Sequence, residues 1–282
     1  MSGTLYVVAT PIGNLEDITL RALRVLREAR VIAAEDTRRT ARLLSRHGIS
    51  TPTISFHAHN TRSRIPQIIA RLENQEAVAL VTDAGTPGLS DPGLELVQAC
   101  VARGIAVDPI PGPCAAITAA VASGFPLDPL SIYGFAPARS LARKQWLQRL
   151  ANLPHTFTFF ETPHRIRQTL IEAAEIFGER PIMVARELTK LHQELLRGTA
   201  SVLLGRLNEP KGELTLVVGP NIAPVKLGVK PISDEFLAHE FWVLTKNIAP
   251  HRKEAIKTLA KRYHRSTREI YAAIERAKVS GK

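Results

Sequence analysis

The strongest constraint on the fold is an alternation, over the first 124 residues, of short β-branched runs with helix-like stretches that stop at glycine. Residues 5–9, 31–34, 53–56, 77–81 and 105–110 read as strands. Between them, Leu20, Leu23 and Leu26 recur every third position behind Asp17, a residue that caps helices. Further helical patterns cover 40–47, 65–72, 94–102 and 114–122, three of them closed by Gly48, Gly104 and Gly124. Glycine just past a helix supplies the left-handed residue that ends it. The alternation predicts an α/β fold with a mostly parallel sheet covered by helices on both faces.

A second run follows, with strands expected at 130–133, 156–160, 182–185 and 213–218 and helices at 143–150 and 165–177. Gly, Pro and Asp cluster at 124–129 and mark a boundary. The expected organisation is an N-terminal α/β domain at 1–124 and a second α/β domain at 125–220. A proline-bearing linker at 221–233 and a basic helical module at 234–282 complete it. Helices are expected in that module at 235–247, 253–263 and 267–278.

The chain is basic, with 37 Lys and Arg against 26 Asp and Glu, or +11. Residues 251–282 hold 10 of the cations and 3 of the acids, so the short tail carries +7. A positive field favours polyanions, although solubility alone also accounts for it. Two cysteines, Cys100 and Cys114, form neither a disulfide framework nor a zinc spacing, and no metal site is expected. His57 and His59 would share a face if the strand before them continued, but they lack an evident third ligand. No apolar run approaches a membrane span, the start has no leader pattern, and a cytoplasmic location is expected. Aromatics at 5% argue against a base-stacking sheet.

Nucleotide-binding fingerprints of the G-x-G-x-x-G and P-loop types are absent. The informative stretch is 81–93, where a strand ends at Asp83 and a loop with three glycines and two prolines leads into a helix. Such loops at the carboxyl ends of parallel strands are where α/β sheets bind ligands. An Asp there accepts hydrogen bonds from ammonium or hydroxyl groups. The plainer alternative is a tight connection with Asp91 as helix cap. At 111–120, Pro-Gly-Pro-Cys precedes a helix of very small residues, which suits either a bound carboxylate or close helix–sheet packing. Charged groups also follow strands at 35–39, 161–165 and 185–190, as phosphate clamps or as caps.

In the tail, Ala255, Ile256, Leu259, Ala260 and Tyr263 form one helical stripe, and Ile270, Tyr271 and Ile274 the next. Ser266 and Glu269 have capping-box spacing. The pair resembles a helix-turn-helix with exposed Lys257, Lys261, Arg265 and Arg268 as phosphate contacts, or else a packing appendix.

Six ordered motifs carry a family resemblance. They are Ala-Thr-Pro-Ile-Gly-Asn-Leu at 9–15, Ala-Ala-Glu-Asp-Thr-Arg at 33–38 and Thr-Asp-Ala-Gly-Thr-Pro at 82–87. The others are Pro-Gly-Pro-Cys-Ala-Ala-Ile-Thr-Ala at 111–119, Ala-Arg-Glu-Leu-Thr-Lys at 185–190 and Lys-Gly-Glu at 211–213. Together they resemble the RNA-modifying branch of the tetrapyrrole-methylase superfamily, over nearly the whole chain. The resemblance implies two α/β domains with an S-adenosylmethionine cleft between them, in a homodimer. It implies 2′-O-methylation of a cytidine in the decoding region of 16S rRNA, within the 30S subunit. Cofactor contacts carried over by motif fall on Pro11, Asp83, Thr86, Cys114 and Ala115, and in the second domain near Phe160, Leu188 and Gly198. Small-molecule relatives have Gly-Asp-Pro where this chain has Thr82-Asp83-Ala84.

A ribose hydroxyl is a weak nucleophile and benefits from a base. Asp36, Glu161 and Lys190, all at strand ends, are the candidates, with Arg38 and Arg186 placed to hold phosphates. Two rival readings remain: a methylase for a tetrapyrrole or other small molecule, and a ligand-sensing regulator that binds DNA through the tail.

Overall fold

Five parallel strands form the first sheet in the computed structural model, which describes residues 3–207, 212–221, 234–247, 252–263 and 266–280. They are β1 (Thr4–Val8), β2 (Val31–Ala34), β3 (Thr53–Ser55), β4 (Val78–Val81) and β5 (Ala106–Ile110), in the order β3-β2-β4-β1-β5. Helices α1 (Leu20–Glu28), α2 (Thr37–Arg46), α3 (Thr61–Glu73) and α4 (Leu94–Val101) connect them. Alternate strand residues serve opposite faces. Ile32, Ala34, Ala79 and Val81 pack with Val25, Leu26, Leu43 and Leu44 of α1 and α2. Val31, Ala33, Val78 and Leu80 pack with Ile68, Leu72, Leu96 and Cys100 of α3 and α4. β2 and β4 are buried throughout, as a central parallel strand must be.

The start of α1 differs from expectation. Asp17 ends a single 3₁₀ turn, and the cap is Thr19, whose hydroxyl accepts the Ala22 N–H. The buried face is Ala22, Val25 and Leu26, whereas Leu20 is 86% exposed. The period-three leucines mark the helix but only one edge of its packing stripe.

Helix α5 (Ala115–Ser123) leaves the first sheet and packs on the second. Its alanines Ala115, Ala119 and Ala122 sit among Met183, Ala185 and Val217 of that sheet, and small side chains permit the close approach. The second sheet holds β6 (Leu130–Phe135), β7 (Thr156–Glu161), β8 (Ile182–Arg186), β9 (Glu194–Gly198) and β10 (Leu214–Val218), ordered β6-β7-β10-β8-β9. It does not continue the parallel pattern: β10 inserts antiparallel between β7 and β8. Helices α6 (Ser140–Ala151), α7 (Ile166–Phe177) and α8 (Ala200–Arg206) cover its other face around Phe157, Phe159 and Leu170. β9 and α8 were not expected from the sequence.

The chain divides into two compact units, Met1–Asn221 and Ile222–Lys282, so both sheets belong to one unit. The expected linker at 221–233 lies outside the described residues except for Asn221. The second unit has α9 (Asp234–Asn247), α10 (Arg252–Arg262) and α11 (Thr267–Ser280) around Leu237, Leu244, Leu259, Ile270 and Ile274. The Ser266–Glu269 capping box forms, with Ser266 N–H donating to Glu269 and Glu269 N–H donating to the Ser266 hydroxyl. Tyr271, expected in the apolar stripe, is half exposed beneath the Arg252 guanidinium. Lys257 and Arg268 are exposed, while the Lys261 side chain and Arg265 lie outside the described residues. No described helix is long and apolar enough to cross a membrane.

Candidate active site

The carboxyl ends of β1, β4 and β5 release three loops that bind one another. Thr10 and Gly85 exchange backbone hydrogen bonds of 2.8 and 3.0 Å. The Thr10 hydroxyl donates to the Thr82 carbonyl at 3.1 Å, and the Thr86 hydroxyl to the Pro113 carbonyl at 3.3 Å. Gly85 has φ +80°, a left-handed backbone that glycine adopts without strain. Gly112 permits a close approach, since a Cβ there would lie 2.9 Å from that of Ala9.

These loops wall one side of a cavity of about 340 Å³, and the second sheet walls the other. Ile12, Asp83, Thr86, Cys114 and Ala115 line it from the first side, and Phe135, Phe160, Glu161 and Thr215 from the second. Of the expected cofactor contacts, Asp83, Thr86, Cys114, Ala115 and Phe160 thus meet around one space. Cys114 is the N-cap of α5 and its side chain caps no N–H group, so the first amides of that helix keep their donors.

The remaining expected contacts are not on that lining. Pro11 is buried beside Ile12, which lines the cavity in its place. Leu188 packs behind the wall with Ile12, Ala119 and Met183. Gly198 pairs with Ile182 at the end of the β8–β9 ladder opposite Arg186 and Glu194. Its lack of a side chain serves packing, because a Cβ would come within 2.9 Å of Val202.

The expected bases are committed elsewhere. Asp36 caps α2 by accepting the Arg38 N–H at 2.8 Å, and it pairs with the Arg38 guanidinium. Those contacts hold its carboxyl well below the usual carboxylate range. Arg38 is therefore ion-paired, though 88% exposed. Glu161 lines the cavity but is buried and fully satisfied by Arg165, the Thr169 hydroxyl and the Thr162 N–H. Lys190 is ion-paired, 2.9 Å from Glu187 and 3.9 Å from Glu213. Arg186 pairs with Glu194 at 3.0 Å.

Three acids that the sequence reading passed over as site residues face the cavity: Glu35, Asp91 and Glu213. Glu35 accepts the Asp83 N–H at 3.3 Å, and burial raises its carboxyl despite that bond. Asp83 accepts the Asp36 N–H at 3.0 Å and pairs with Arg39 at 3.2 Å. Asp91 is not the cap of α4; that place is taken by Gly93. Asp91 stays in the loop, half buried, with no ion pair among the described residues. Burial first, then Glu35 and Asp83, push it up to about 7, while the Thr82 hydroxyl pulls the other way and Glu213 adds to the rise. Its signal in the sequence was an acid inside a rigid Gly/Pro loop. No group of three or more described His, Cys, Asp or Glu is placed to hold a metal ion.

A parallel sheet and a mixed sheet enclose a strand-end cavity, the place where α/β proteins bind small ligands. The family model of the tetrapyrrole (corrin/porphyrin) methylases matches residues 4–203, and the chain belongs to that family. Within it, the chain groups with proteins named ribosomal RNA small subunit methyltransferase I. One from Halalkalibacterium halodurans is 42% identical, the match covering 95% of this chain and 93% of the relative. One from Thermotoga maritima is 46% identical over 77% of this chain and 98% of the relative. Among solved structures, uroporphyrin-III C-methyltransferase from Thermus thermophilus, complexed with S-adenyl homocysteine, superposes with a TM-score of 0.55 at 18% identity. That match covers 78% of this chain and 99% of the other, and shows the shared fold.

Proposed function

We propose that this chain uses S-adenosylmethionine to methylate RNA of the small ribosomal subunit, at the 2′-oxygen of a cytidine in the decoding region of 16S rRNA. The observation that carries the reading is the convergence of Asp83, Thr86, Cys114 and Ala115 on one cavity, in a chain 42% identical over 95% of its length to a relative named ribosomal RNA small subunit methyltransferase I.

The residues present fit the methyl donor. Asp83 and Glu35 offer carboxylates to an ammonium or ribose hydroxyls, the α5 amides suit a carboxylate, and Ile12 and Phe160 suit an aromatic ring. When bound, the donor supplies an already activated sulfonium methyl group. The chain then has to align the acceptor oxygen with it and remove that oxygen's proton. Asp91 suits the second task, being the cavity acid with neither a cation nor an N–H group on it among the described residues. A base titrating near neutrality is well matched to proton removal at physiological pH. A homodimer in the cytoplasm, acting on assembled 30S subunits, completes the reading; exposed Val121 and Leu191 are apolar surface a second copy can cover.

The test is transfer of labelled methyl from S-adenosylmethionine to 30S subunits, followed by ribose-methylation mapping. Label on a single cytidine 2′-oxygen is expected. Label on a porphyrinoid and none on RNA would establish the small-molecule reading instead.

A further inference from the structure

Helix α2 begins at the cavity and carries four arginines and no acid: Arg38, Arg39, Arg42 and Arg46. At 3.6 residues per turn they fall within an arc of about 100°. Thr40, Leu43 and Leu44 face the core, and all four arginines are exposed. Arg39 reaches the cavity lining, where it pairs with Asp83. From Arg38 to Arg46 the row runs about 12 Å along the axis.

Some exposed cations elsewhere in the same unit have carboxylate partners, while others, Arg62 and Arg149 among them, have none among the described residues. Arg24 pairs with Glu28, Arg71 with Glu76 and Lys144 with Glu175. Arg42 and Arg46 have no such partner among the described residues. A face of one charge sign, uncompensated at Arg42 and Arg46 and continuous with the cavity through Arg39, is the electrostatic form of a polyanion track. A track along α2 does not call on the basic tail. The Thermotoga maritima relative is matched over 98% of its length by 77% of this chain, leaving unmatched a share about as long as the second unit.

We propose that the arginine face of α2 holds the phosphate backbone of the RNA acceptor where it enters the cavity. This rests on the RNA reading above, and it moves the phosphate contacts from Arg186 and the tail to Arg42 and Arg46. Arg38 and Arg39, each partnered by an Asp, mark the end of the track nearest the chemistry.

The test compares Arg42→Gln/Arg46→Gln with a charge-matched control, Arg103→Gln/Arg149→Gln, in methyl transfer to 30S subunits. The variant is expected to raise KM for 30S about tenfold while leaving kcat and S-adenosylmethionine affinity unchanged. It should also lower the slope of log affinity against log salt by about 1.4 for two phosphates of a single strand. The same loss is expected for protein-free 16S rRNA. A variant that matches the control overturns the proposal. So does a loss confined to 30S and absent with free rRNA, which would assign the face to a ribosomal protein. No transfer by the wild-type chain would instead remove the RNA reading, before any variant is compared.

Discussion

Asn14 and Thr189, far apart in sequence and on opposite sheets' loops, are joined directly: the Asn14 N–H donates to the Thr189 hydroxyl at 3.0 Å. Thr189 holds φ +65°, and its own N–H is taken by the Gln193 side chain, so the turn is held to present that hydroxyl. The bond ties the loop after β1 to the segment after β8, one on each side of the cavity. Thr189→Val keeps the branched shape and deletes the acceptor. A loss of about 1 kcal/mol in urea denaturation is expected, with weaker S-adenosylhomocysteine binding by calorimetry. Unchanged affinity would show that the tie does not shape the cavity.

Gly13 sits beneath the same contact. A Cβ there would lie 2.6 Å from the Lys190 side chain and 2.8 Å from the Leu188 carbonyl. The lysine can move, but the backbone oxygen cannot do so cheaply. Gly13→Ala should therefore cost about 1–3 kcal/mol and weaken the cofactor further than Thr189→Val does. Chemical denaturation and calorimetry on the two variants check that order.

Asp91 gives the pH dependence. An acid raised to about 7 must lose its proton to act as base. The kcat/KM should rise tenfold per pH unit below about 7 and level off above it, and Asp91→Asn should abolish that limb. Stability moves the opposite way. The folded acid holds its proton more tightly than the unfolded one, so ionisation destabilises the fold as pH climbs from the ordinary Asp range towards 7. Asp91→Asn should therefore gain stability at pH 8, on the order of 1 kcal/mol after allowance for solvent screening, and gain nothing below pH 3. Melting curves across that range decide it.

Much of this was legible in the sequence, for local reasons. β2 spans the expected residues because four consecutive apolar side chains bounded by Arg30 and Glu35 allow little else. Gly48, Gly104 and Gly124 all take the positive φ expected of helix ends. What was missed depends on distant partners. β9 has only one buried residue, Leu196, and is an edge strand recognisable by its pairing with β8. The antiparallel insertion of β10 depends on contacts made across the whole second sheet. At the site, Glu35 and Asp36 are adjacent acids of the same chemistry. The end of β2 turns Glu35 to the cavity and leaves Asp36 to cap α2, a choice that composition does not reveal. Asp91 precedes a helix, which made capping the plainer alternative to a ligand loop. The two-residue offset to Gly93 is what leaves it in the cavity wall.

The second sheet's helices are locked by one buried ion pair. Arg143 donates to Glu172 at 2.7 and 2.9 Å, with side chains 3% and 0% exposed. Burial pushes the Glu172 carboxyl up, but bonds from Arg143, Ser140 and Gln168 outweigh it and leave it lowered. That stability is present above the ordinary Glu range and is lost as pH falls through the lowered value. Glu172→Gln should cost about 3–5 kcal/mol, since it strands a buried guanidinium. Arg143→Met/Glu172→Leu should recover most of the loss. If the double variant were as unstable as the single, packing and not charge would be the cause.

Asp83 separates charge from scaffold in the cavity. Its Oδ1 accepts the Asp36 N–H, which fixes the entry into α2, while Oδ2 pairs with Arg39. Asp83→Asn keeps an acceptor for the amide and removes the charge. Asp83→Ala removes both, and leaves the Asp36 N–H without its partner. If the carboxylate's role is to hold a cationic or hydroxyl-rich ligand, both variants should weaken S-adenosylmethionine binding at least tenfold, equivalent to about 1.4 kcal/mol. Only Asp83→Ala should also lower the melting temperature, because only it leaves a half-buried N–H unpaired. Calorimetry with thermal melts on the two variants reads the two effects apart. Full affinity in Asp83→Asn would mean that the charge serves Arg39, and through it the arginine face of α2, and not the methyl donor.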